Sequence, residues 1–330
     1  MNYHVYGIGN ALVDMEFSVD DGYLQSHGIA KGHMTLVDEQ RLIELTETLS
    51  ELTPRRMSGG SAANTMYAMQ GFGSTAYYAC KVAGDEVGAY FLADLSRAGV
   101  TTEPHDEAVD GKSGRCLILI TDDAERSMNT YLGISEQLSP GDVNAEAVAN
   151  SEYVYIEGYL ASSETGRAAA VHVREVAEAE RTKTSLTLSD PSMVDIFRDG
   201  LQQMLGNGVH HLFCNEEEAL TWARTDRLDL AANELKDIAP NVNITLGARG
   251  SLAIYPGASK IVPGYAVQPI DTNGAGDIYA GACLYVLTHD GSPGDAARFA
   301  NYAASNLVAR FGARFTSIED YQGVRTRYPG

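Results

Sequence analysis

The sequence predicts an α/β protein in three layers, with helices on both faces of a mostly parallel central sheet and a small inserted β-sheet. Three observations indicate this fold class. From about residue 150, short apolar runs alternate with helical patterns, as in βαβ units. Two glycine-rich segments, 57–73 and 270–283, each lead into a helical pattern. Two further stretches, 14–37 and 112–132, have strand-like patterns with turn residues between them.

The alternating half of the chain predicts strands and helices in regular succession. Its predicted strands are 153–156, 184–190, 209–214 and 242–247. Helical patterns lie between them at 166–183 and 215–224. After Pro293, apolar residues at spacings of three and four predict a long helix that ends at Gly312.

The two strand-like stretches predict hairpins without intervening helices, and therefore a small antiparallel sheet. We expect this sheet to serve as a discontinuous lid, formed by about 14–37 and 112–132, on one domain spanning residues 1–330. A dimerisation surface is the other use for such a sheet, so the expected state is a monomer or a homodimer through the lid.

The composition excludes several classes of function. The chain has 330 residues, 44% of them hydrophobic, and a net charge of −20. This charge repels nucleic acids and anionic membranes, so we expect neither as a partner. No apolar run reaches the about 18 residues of a membrane helix, and the first residues lack a basic leader pattern, so the expected location is the cytoplasm.

The segment "DTNGAGD" (271–277) predicts an anion-binding helix start. Gly274, Ala275 and Gly276 leave backbone N–H groups uncovered at a helix N-terminus, where the helix dipole adds positive charge. Asp277 lies in the same turn and can accept a proton from an attacking hydroxyl. Its place at a helix start predicts a weak base. The plain alternative is a glycine turn with an ordinary first-turn aspartate.

A second glycine-rich junction, "MSGGSAANTMYAMQGFG" (57–73), predicts close backbone approach to a ligand. Ser61 is the expected helix cap, and Asn64 can hydrogen-bond sugar hydroxyls. Asp14, which follows the first predicted strand, can hold two vicinal hydroxyls. A tight contact between helix and sheet is the alternative for the glycines.

Two standard nucleotide motifs are absent or broken. No phosphate-binding loop of the G-x-x-x-x-G-K-[ST] form occurs, and "GIGNAL" (7–12) has Leu12 where a dinucleotide-binding motif needs glycine. "NEEEA" (215–219) predicts a capping box of Asn215 with Glu218. Its functional alternative is an Asn and Glu pair near the magnesium and phosphates of a nucleotide.

Taken in order, these motifs resemble the ribokinase-like (PfkB) carbohydrate kinase family, and within it the adenosine kinase branch. The resemblance runs nearly end to end and is carried by "GNALVD", "GGSAAN", "KVAGDEVGAYFLADLSRAGV", "NEEEA", "TLGARGS", "DTNGAGD" and "NYAASNLVARFGARFTS". It implies transfer of the γ-phosphate of ATP to a primary hydroxyl of a ribose-containing nucleoside, adenosine first, or of a sugar.

The resemblance also implies a role for each matching residue. Asp277 would be the base, with Gly274, Ala275 and Gly276 as its anion hole. The residues implied for the acceptor are Asn10, Asp14, Gly59, Gly60, Asn64 and Glu157. Those implied for ATP are Arg126, facing the phosphates, and Asn215, Glu218, Thr245, Gly247 and Gly250. Glu218 would hold Mg²⁺ through water, and Asp271 would contact a monovalent cation such as K⁺.

Other functions stay open at this point. The segment "KGHMTLVD" (31–38) departs from the polar adenine-facing pattern of animal adenosine kinases, and Glu157 matches an acid of sugar kinases. A ribose or fructose-type sugar kinase and a catalytically silent ligand sensor on the same fold are therefore the alternatives. A dehydrogenase is disfavoured by the broken "GIGNAL" motif.

Overall fold

A computed structural model describes residues 2–32, 34–104, 109–123 and 125–330 of the chain. His33 and Ala124, which fall inside the two predicted lid segments, lie outside the described residues. The structure confirms the predicted fold class: helices cover both faces of a mostly parallel sheet, and a second, small sheet is inserted.

Fourteen strands occur in the described part of the chain. They are β1 (Tyr3–Ile8), β2 (Leu12–Ser18), β3 (Met34–Leu36), β4 (Arg55–Gly59), β5 (Ala76–Ala79), β6 (Thr101–Thr102), β7 (Gly114–Ile120), β8 (Arg126–Tyr131), β9 (Ser151–Glu157), β10 (Lys183–Thr187), β11 (His211–Asn215), β12 (Asn241–Thr245), β13 (Ser251–Tyr255) and β14 (Ala258–Val262).

Thirteen α-helices connect them over the same described residues. They are α1 (Asp21–Ser26), α2 (Glu39–Thr48), α3 (Ser61–Phe72), α4 (Glu86–Ala98), α5 (Ala145–Ala149), α6 (Glu164–Glu180), α7 (Pro191–Ile196), α8 (Arg198–Leu205), α9 (Glu216–Ala223), α10 (Leu228–Leu235), α11 (Ala275–Leu287), α12 (Pro293–Val308) and α13 (Ile318–Arg327). None of these helices is both long and apolar enough to cross a membrane.

The central sheet has the order β14-β13-β12-β11-β10-β9-β1-β5-β6. Its strands pair in parallel from β12 to β6, and only β13 and β14 run antiparallel to their neighbours among the described strands. Separate hydrophobic clusters lie on its two faces. Because both faces are buried, a parallel strand such as β9 appears in the sequence as a continuous apolar run, and this allowed its prediction.

The small sheet has the order β3-β8-β7-β2-β4. It is mixed rather than antiparallel, which corrects the prediction, because β2 pairs in parallel with β7 and β3 in parallel with β8. Helix α1 intervenes between β2 and β3, with the Asp20 side chain capping its start. Strand β4, outside both predicted segments, forms the edge beside β2.

Helices α3 and α11 pack side by side on one face of the central sheet. The contact is close because Gly281 of α11 has no side chain: a Cβ there would lie 2.9 Å from the Ala68 methyl group of α3. Both helices start at the same edge of the sheet, so their N-termini face one another.

Helix α12 begins as predicted at Pro293 but ends earlier than expected. Ser292 and Asp295 form a capping box at its start. Its last residue is Val308, with Ala309 as the C-cap, so the prediction that Gly312 ends this helix is wrong. Gly312 instead has φ +103° in the segment that follows, and Phe311 is exposed.

Candidate active site

A cleft of about 700 Å³ opens where the carboxyl ends of the parallel strands meet the small sheet. Strands β9, β10, β11 and β12 contribute their last residues to it, and helices α3 and α11 contribute their N-termini. In an open α/β sheet this edge is the usual ligand-binding position. The cleft is also large enough for a small organic ligand.

The small sheet turns an apolar face toward the cleft. Alternate residues of four strands point inward, as the two-residue period of a strand requires. They are Leu12 and Asp14 of β2, Met34 and Leu36 of β3, Cys116 and Ile118 of β7, and Met128 and Thr130 of β8. Asp14 is thus the one charged group among these eight residues.

The N-terminus of α11 forms an uncovered turn beneath this face. Gly274 is its N-cap at φ +71°, and no side chain caps it. Over the described residues, the N–H groups of Gly274, Gly276 and Asp277 make no intramolecular hydrogen bond. The N–H of Ala275, which we expected to be free, makes a long bond of 3.3 Å to the Thr272 carbonyl. Unpaired N–H groups at a helix start attract anions.

The two glycines of this turn differ in what they leave room for. A Cβ on Gly274 would lie 1.8 Å from the Ala313 carbonyl oxygen, so the fold itself requires glycine there. A Cβ on Gly276 would meet nothing within 4 Å and would project into the cleft. The space beside Gly276 is therefore open to a ligand.

Asp277 follows at once and is held by both ends of its carboxylate. The Ser61 hydroxyl donates to Oδ1 at 2.7 Å, and the Asn64 side-chain amide donates to Oδ2 at 3.0 Å. Burial raises the pKa of Asp277 to about 6, although these two hydrogen bonds act in the opposite direction. Because burial outweighs these two hydrogen bonds, this carboxylate is a stronger base than its place at a helix start alone predicts.

The N-terminus of α3 also opens on glycine, Gly60, at φ +93°. Ser61 does not cap this helix, contrary to expectation, because its hydroxyl is bonded to Asp277. Glu157 takes the capping position instead: its Oε2 accepts from the Ala62 N–H at 2.8 Å. Asn64 lines the cleft, and its side-chain oxygen is buried with no hydrogen-bond partner.

Glu157 and Asn10 form one buried unit. Both the N–H and the side-chain amide of Asn10 donate to Glu157 Oε1, at 3.2 and 3.0 Å. The Asn10 side-chain oxygen accepts from Ser135 at 3.2 Å. Burial raises the pKa of Glu157 to about 7 against these hydrogen bonds. Both residues line the cleft, but their polar atoms are already paired internally.

The sequence had indicated that Asp14 follows the first strand. In the structure it lies inside β2 of the small sheet. Gly59 makes room for it, since a Cβ on Gly59 would lie 2.5 Å from the carboxylate. Burial, with the charges of Glu16 and Asp277, raises the pKa of Asp14 to about 7, while Arg314 and Arg126 lower it. Asp14 and Asp277 thus share one cleft, as the sequence predicted for a common site.

The end of the cleft beyond α11 is polar and acidic. Asn215 and Glu218 form the predicted capping box of α9. Thr245 and Gly247 line the cleft nearby, whereas Gly250 does not: it turns the chain against the Val262 and Gly264 backbones. Burial, with the charges of Asp190 and Glu217, raises the pKa of Glu218 to about 8.

The lining has no basic side chain among the described residues. Arg126, expected to face a phosphate, does not line the cleft; its guanidinium lies 2.8 Å from Asp271 and 3.1 Å from Glu16. Asp271 is nearly buried and also accepts from the Asn273 and Gly312 N–H groups. Positive character inside the cleft therefore comes from the α11 N–H groups.

Sequence reasoning missed the contacts that join distant segments. Ser61 bonds to a carboxylate 216 positions away, and Glu16 pairs with an arginine 110 positions away. No local pattern records such contacts. The cleft-facing side of the small sheet had no such signal either, since the alternating apolar residues of "LVDMEFS", Val13, Met15 and Phe17, lie on the opposite face from Leu12 and Asp14.

The chain is similar to known proteins over nearly its whole length. The family model described as pfkB family carbohydrate kinase matches residues 26–320. The adenosine kinase from Sinorhizobium meliloti is 32% identical, and its solved structure superposes with a TM-score of 0.90 over 99% of both chains. A probable sugar kinase from Rhizobium etli is 30% identical, with a TM-score of 0.90 over 99% of both chains. The adenosine kinase of Schizophyllum commune is 26% identical over 95% of this chain and 97% of its own.

Proposed function

The chain belongs to the pfkB family of carbohydrate kinases, and we propose that this sugar or nucleoside kinase transfers the γ-phosphate of ATP to the primary hydroxyl of adenosine. One observation supports the proposal above the others. Unpaired N–H groups and the Asp277 carboxylate share one cleft with Asp14, beneath an apolar sheet face. The N–H groups and Asp277 suit a phosphoryl group in transfer. Asp14 and the apolar sheet face suit a ribose joined to a flat apolar ring.

The acceptor would lie between α3 and the small sheet. Asp14 accepts hydrogen bonds from two vicinal ribose hydroxyls, and the unpaired Asn64 oxygen accepts a third. The adenine ring packs on the side chains of Met34, Leu36, Ile118 and Met128, which offer dispersion contacts and no polar group. Gly59 makes room for the Asp14 carboxylate and Gly60 for the Asn10 carbonyl, so both glycines let the segments around the acceptor pack closely. A free sugar would leave the apolar face uncovered, and this favours a nucleoside.

Asn10 and Glu157, expected to touch the acceptor, act in our proposal from behind it. Glu157 joins the Asn10 turn to the start of α3 through Ala62. This unit holds the α3 N-terminus in place, and with it Ser61 and Asn64. Because its carboxylate oxygens are already paired, Glu157 gives no support to the sugar kinase alternative.

ATP would place its γ-phosphate on the N–H groups of Gly274, Gly276 and Asp277, with its other end toward Asn215, Thr245 and Gly247. No three metal-ligating side chains converge among the described residues, so there is no preformed metal cage. Magnesium is commonly held by one or two carboxylates together with substrate phosphates. The carboxylates of Asp190, Glu217 and Glu218 fit that role, with Glu218 acting through water. The ion, when bound, would neutralise charge on the phosphates.

The reaction then needs one proton transfer and one bond exchange. The acceptor hydroxyl gives its proton to Asp277 as its oxygen bonds to the γ-phosphorus and the bond to the ADP oxygen breaks. The α11 N–H groups hold the charge on the moving phosphoryl, which costs no reorganisation because the fold has placed them beforehand. With a pKa near 6, Asp277 is ionised at neutral pH and ready to accept.

The small sheet would act as the lid of this single-domain enzyme. Its apolar face is the natural cover for the base, and closing it would exclude water from the transfer. The state of association proposed from the sequence, a monomer or a dimer through this sheet, is measured directly by light scattering. Use of ATP accords with the cytoplasmic location expected from the sequence.

The test is ADP release from Mg-ATP with a panel of nucleosides and sugars. We expect adenosine to give the highest kcat/KM, other purine nucleosides to follow, and ribose and fructose to be poor acceptors. A preference for a free sugar would overturn the nucleoside assignment but leave kinase chemistry in place. Absence of ADP with every acceptor, in a protein that still binds ATP, would support the silent sensor.

A further inference from the structure

The Arg126 guanidinium connects the small sheet to the loop before α11. Nη2 lies 2.8 Å from Asp271 Oδ2, and Nη1 lies 3.1 Å from Glu16 Oε1. The side chains of Arg126, Glu16 and Asp271 are only 15%, 11% and 5% exposed. Charge pairs so little exposed to water are screened far less than surface pairs. These three side chains therefore form a mostly buried ion-pair network between the small sheet and the loop before α11.

Asp271 in turn holds the loop that ends in the anion hole. Its Oδ1 accepts from the Asn273 N–H at 3.0 Å, and its Oδ2 accepts from the Gly312 N–H at 2.7 Å. Gly274 packs directly against the backbone of Ala313. The Asp271 carboxylate thus ties residues 271–274 to residues 312–313, and this tie sets where the α11 N–H groups point.

The surroundings of Asp271 do not fit the monovalent cation that the family resemblance implied. Such a cation is held by a shell of oxygen atoms that replace its water. Here two N–H groups and a guanidinium already meet the carboxylate. The nearby Val308 carbonyl is also occupied, since it accepts from the Ile270 and Asp271 N–H groups.

We infer that Arg126 takes the place of this cation. It is a positioning residue: it neutralises Asp271, and through Asp271 it holds the α11 N–H groups in line for the phosphoryl group. Catalysis by this chain is then independent of K⁺. The inference rests on the proposed function for its activity measurement, and it replaces the phosphate-facing role that the family resemblance implied for Arg126.

The first experiment compares KCl with tetramethylammonium chloride at equal ionic strength, so that general screening of this acidic chain stays constant. Wild-type velocity should be the same in both salts. In Arg126→Met without K⁺, kcat should fall about tenfold or more while the KM for ATP changes by less than about twofold, the pattern of a lost transition-state interaction. K⁺ should restore several-fold activity to that variant, and Arg126→Lys should keep most of the wild-type rate.

A double-mutant cycle separates positioning from phosphate contact. If Arg126 acts through Asp271, Arg126→Met together with Asp271→Asn should cost little more than the costlier single variant. Multiplying effects, or a strong rise in the KM for ATP, would show a direct phosphate contact and overturn the inference. Activation of the wild type by K⁺ would overturn it as well.

Two further measurements separate the role of Arg126 from a general effect of losing an arginine and from a failure of the proposed function. Arg115→Met removes another partly buried arginine of the small sheet, paired with Asp85, and should show no K⁺ response. The melting temperature needs no activity: K⁺ should raise it for Arg126→Met and leave the wild type unchanged. If no acceptor is phosphorylated, the proposed function fails while the melting data still decide the role of Arg126.

Discussion

Two helices start on glycine at the edge of the same cleft, yet they meet different anions. Helix α3 begins after Gly60 and α11 after Gly274. Because both N-cap residues are glycines, neither can cap its helix with a side-chain hydrogen bond. At α3 the anion is internal, because Glu157 accepts from the Ala62 N–H. At α11 the N–H groups of Gly274, Gly276 and Asp277 have no partner in the described part of the chain. One start is closed by the protein, and the other is open to a ligand.

The difference teaches that a glycine-rich helix start is only a potential anion site. The positive end of the helix dipole is present at both starts. What separates them is whether a buried carboxylate has been placed beside the N–H groups. Asp277, the carboxylate next to the open start, points away to Ser61 and Asn64 at the closed one. The closed start therefore orients the carboxylate that we propose as the base.

Asp277→Asn is the strongest test of this division. An amide cannot accept the acceptor proton, so we expect kcat to fall by about 10²–10⁴-fold, the usual contribution of a general base. ATP affinity, measured by calorimetry, should stay within a few-fold because the α11 N–H groups remain. Asp229→Asn, which changes a first-turn aspartate of α10 that does not line the cleft, is the matched control. Unchanged turnover in Asp277→Asn would end its assignment as the base.

Gly276→Ala tests whether the open start holds a phosphate. The new methyl group meets no protein atom and enters the cleft. We expect activity to fall about 10–100-fold through about 1–3 kcal/mol of lost transition-state stabilisation, with the free energy of unfolding unchanged or higher by up to about 1 kcal/mol.

Gly294→Ala, at the same second position of α12, is its control and should leave activity alone, since its Cβ has only ordinary contacts. Gly274→Ala should instead lower the melting temperature, because it clashes with Ala313 and needs a positive φ. A fully active Gly276→Ala would show that no ligand occupies that space.

The pH dependence of kcat/KM should follow the ionisation of Asp277, the carboxylate beside the open start of α11. Asp277 must be ionised to accept a proton, and its pKa is raised to about 6 by burial. The rate should therefore be lost as pH falls, by about tenfold per unit below about pH 6. Asp14, with a pKa raised to about 7 by burial, should begin the decline earlier if its ionised form holds the ribose. A rate independent of pH between 5 and 7, on a plateau set by chemistry, would contradict both assignments.

Glu157→Gln should affect stability where Asp277→Asn affects turnover. The amide presents a donor to groups that already donate, which costs about 1–3 kcal/mol of the free energy of unfolding. The wild-type pKa is raised from 4.5 to about 7 by burial, so the folded state binds the extra proton in that window. Stability should therefore fall as pH rises from 4.5 to 7.

The glutamine variant should flatten this slope, as chemical denaturation at several pH values would show. Glu152→Gln, an exposed residue on the same strand, is the control. An unchanged slope in Glu157→Gln would mean that the α3 start is closed by hydrogen bonding without a shifted titration.

The sequence by itself determined the fold class and the local structure of the motifs. Buried parallel strands show as apolar runs, and helix starts show through local residues such as Asn215 with Glu218, so both could be predicted within one segment. The glycine turn of 271–277 was predicted in the same way. Its N–H groups belong to consecutive residues, and their freedom is a local property apart from the Ala275 bond to Thr272.

Only the tertiary structure decided which group meets which. It set the mixed pairing of the small sheet, the raised pKa of Asp277, the closure of α3 by Glu157 and the burial of Arg126 against Asp271. Each depends on segments that lie far apart in the chain and on how much water their packing excludes. Hydrogen bonding and desolvation act through space, so residue order alone does not contain them.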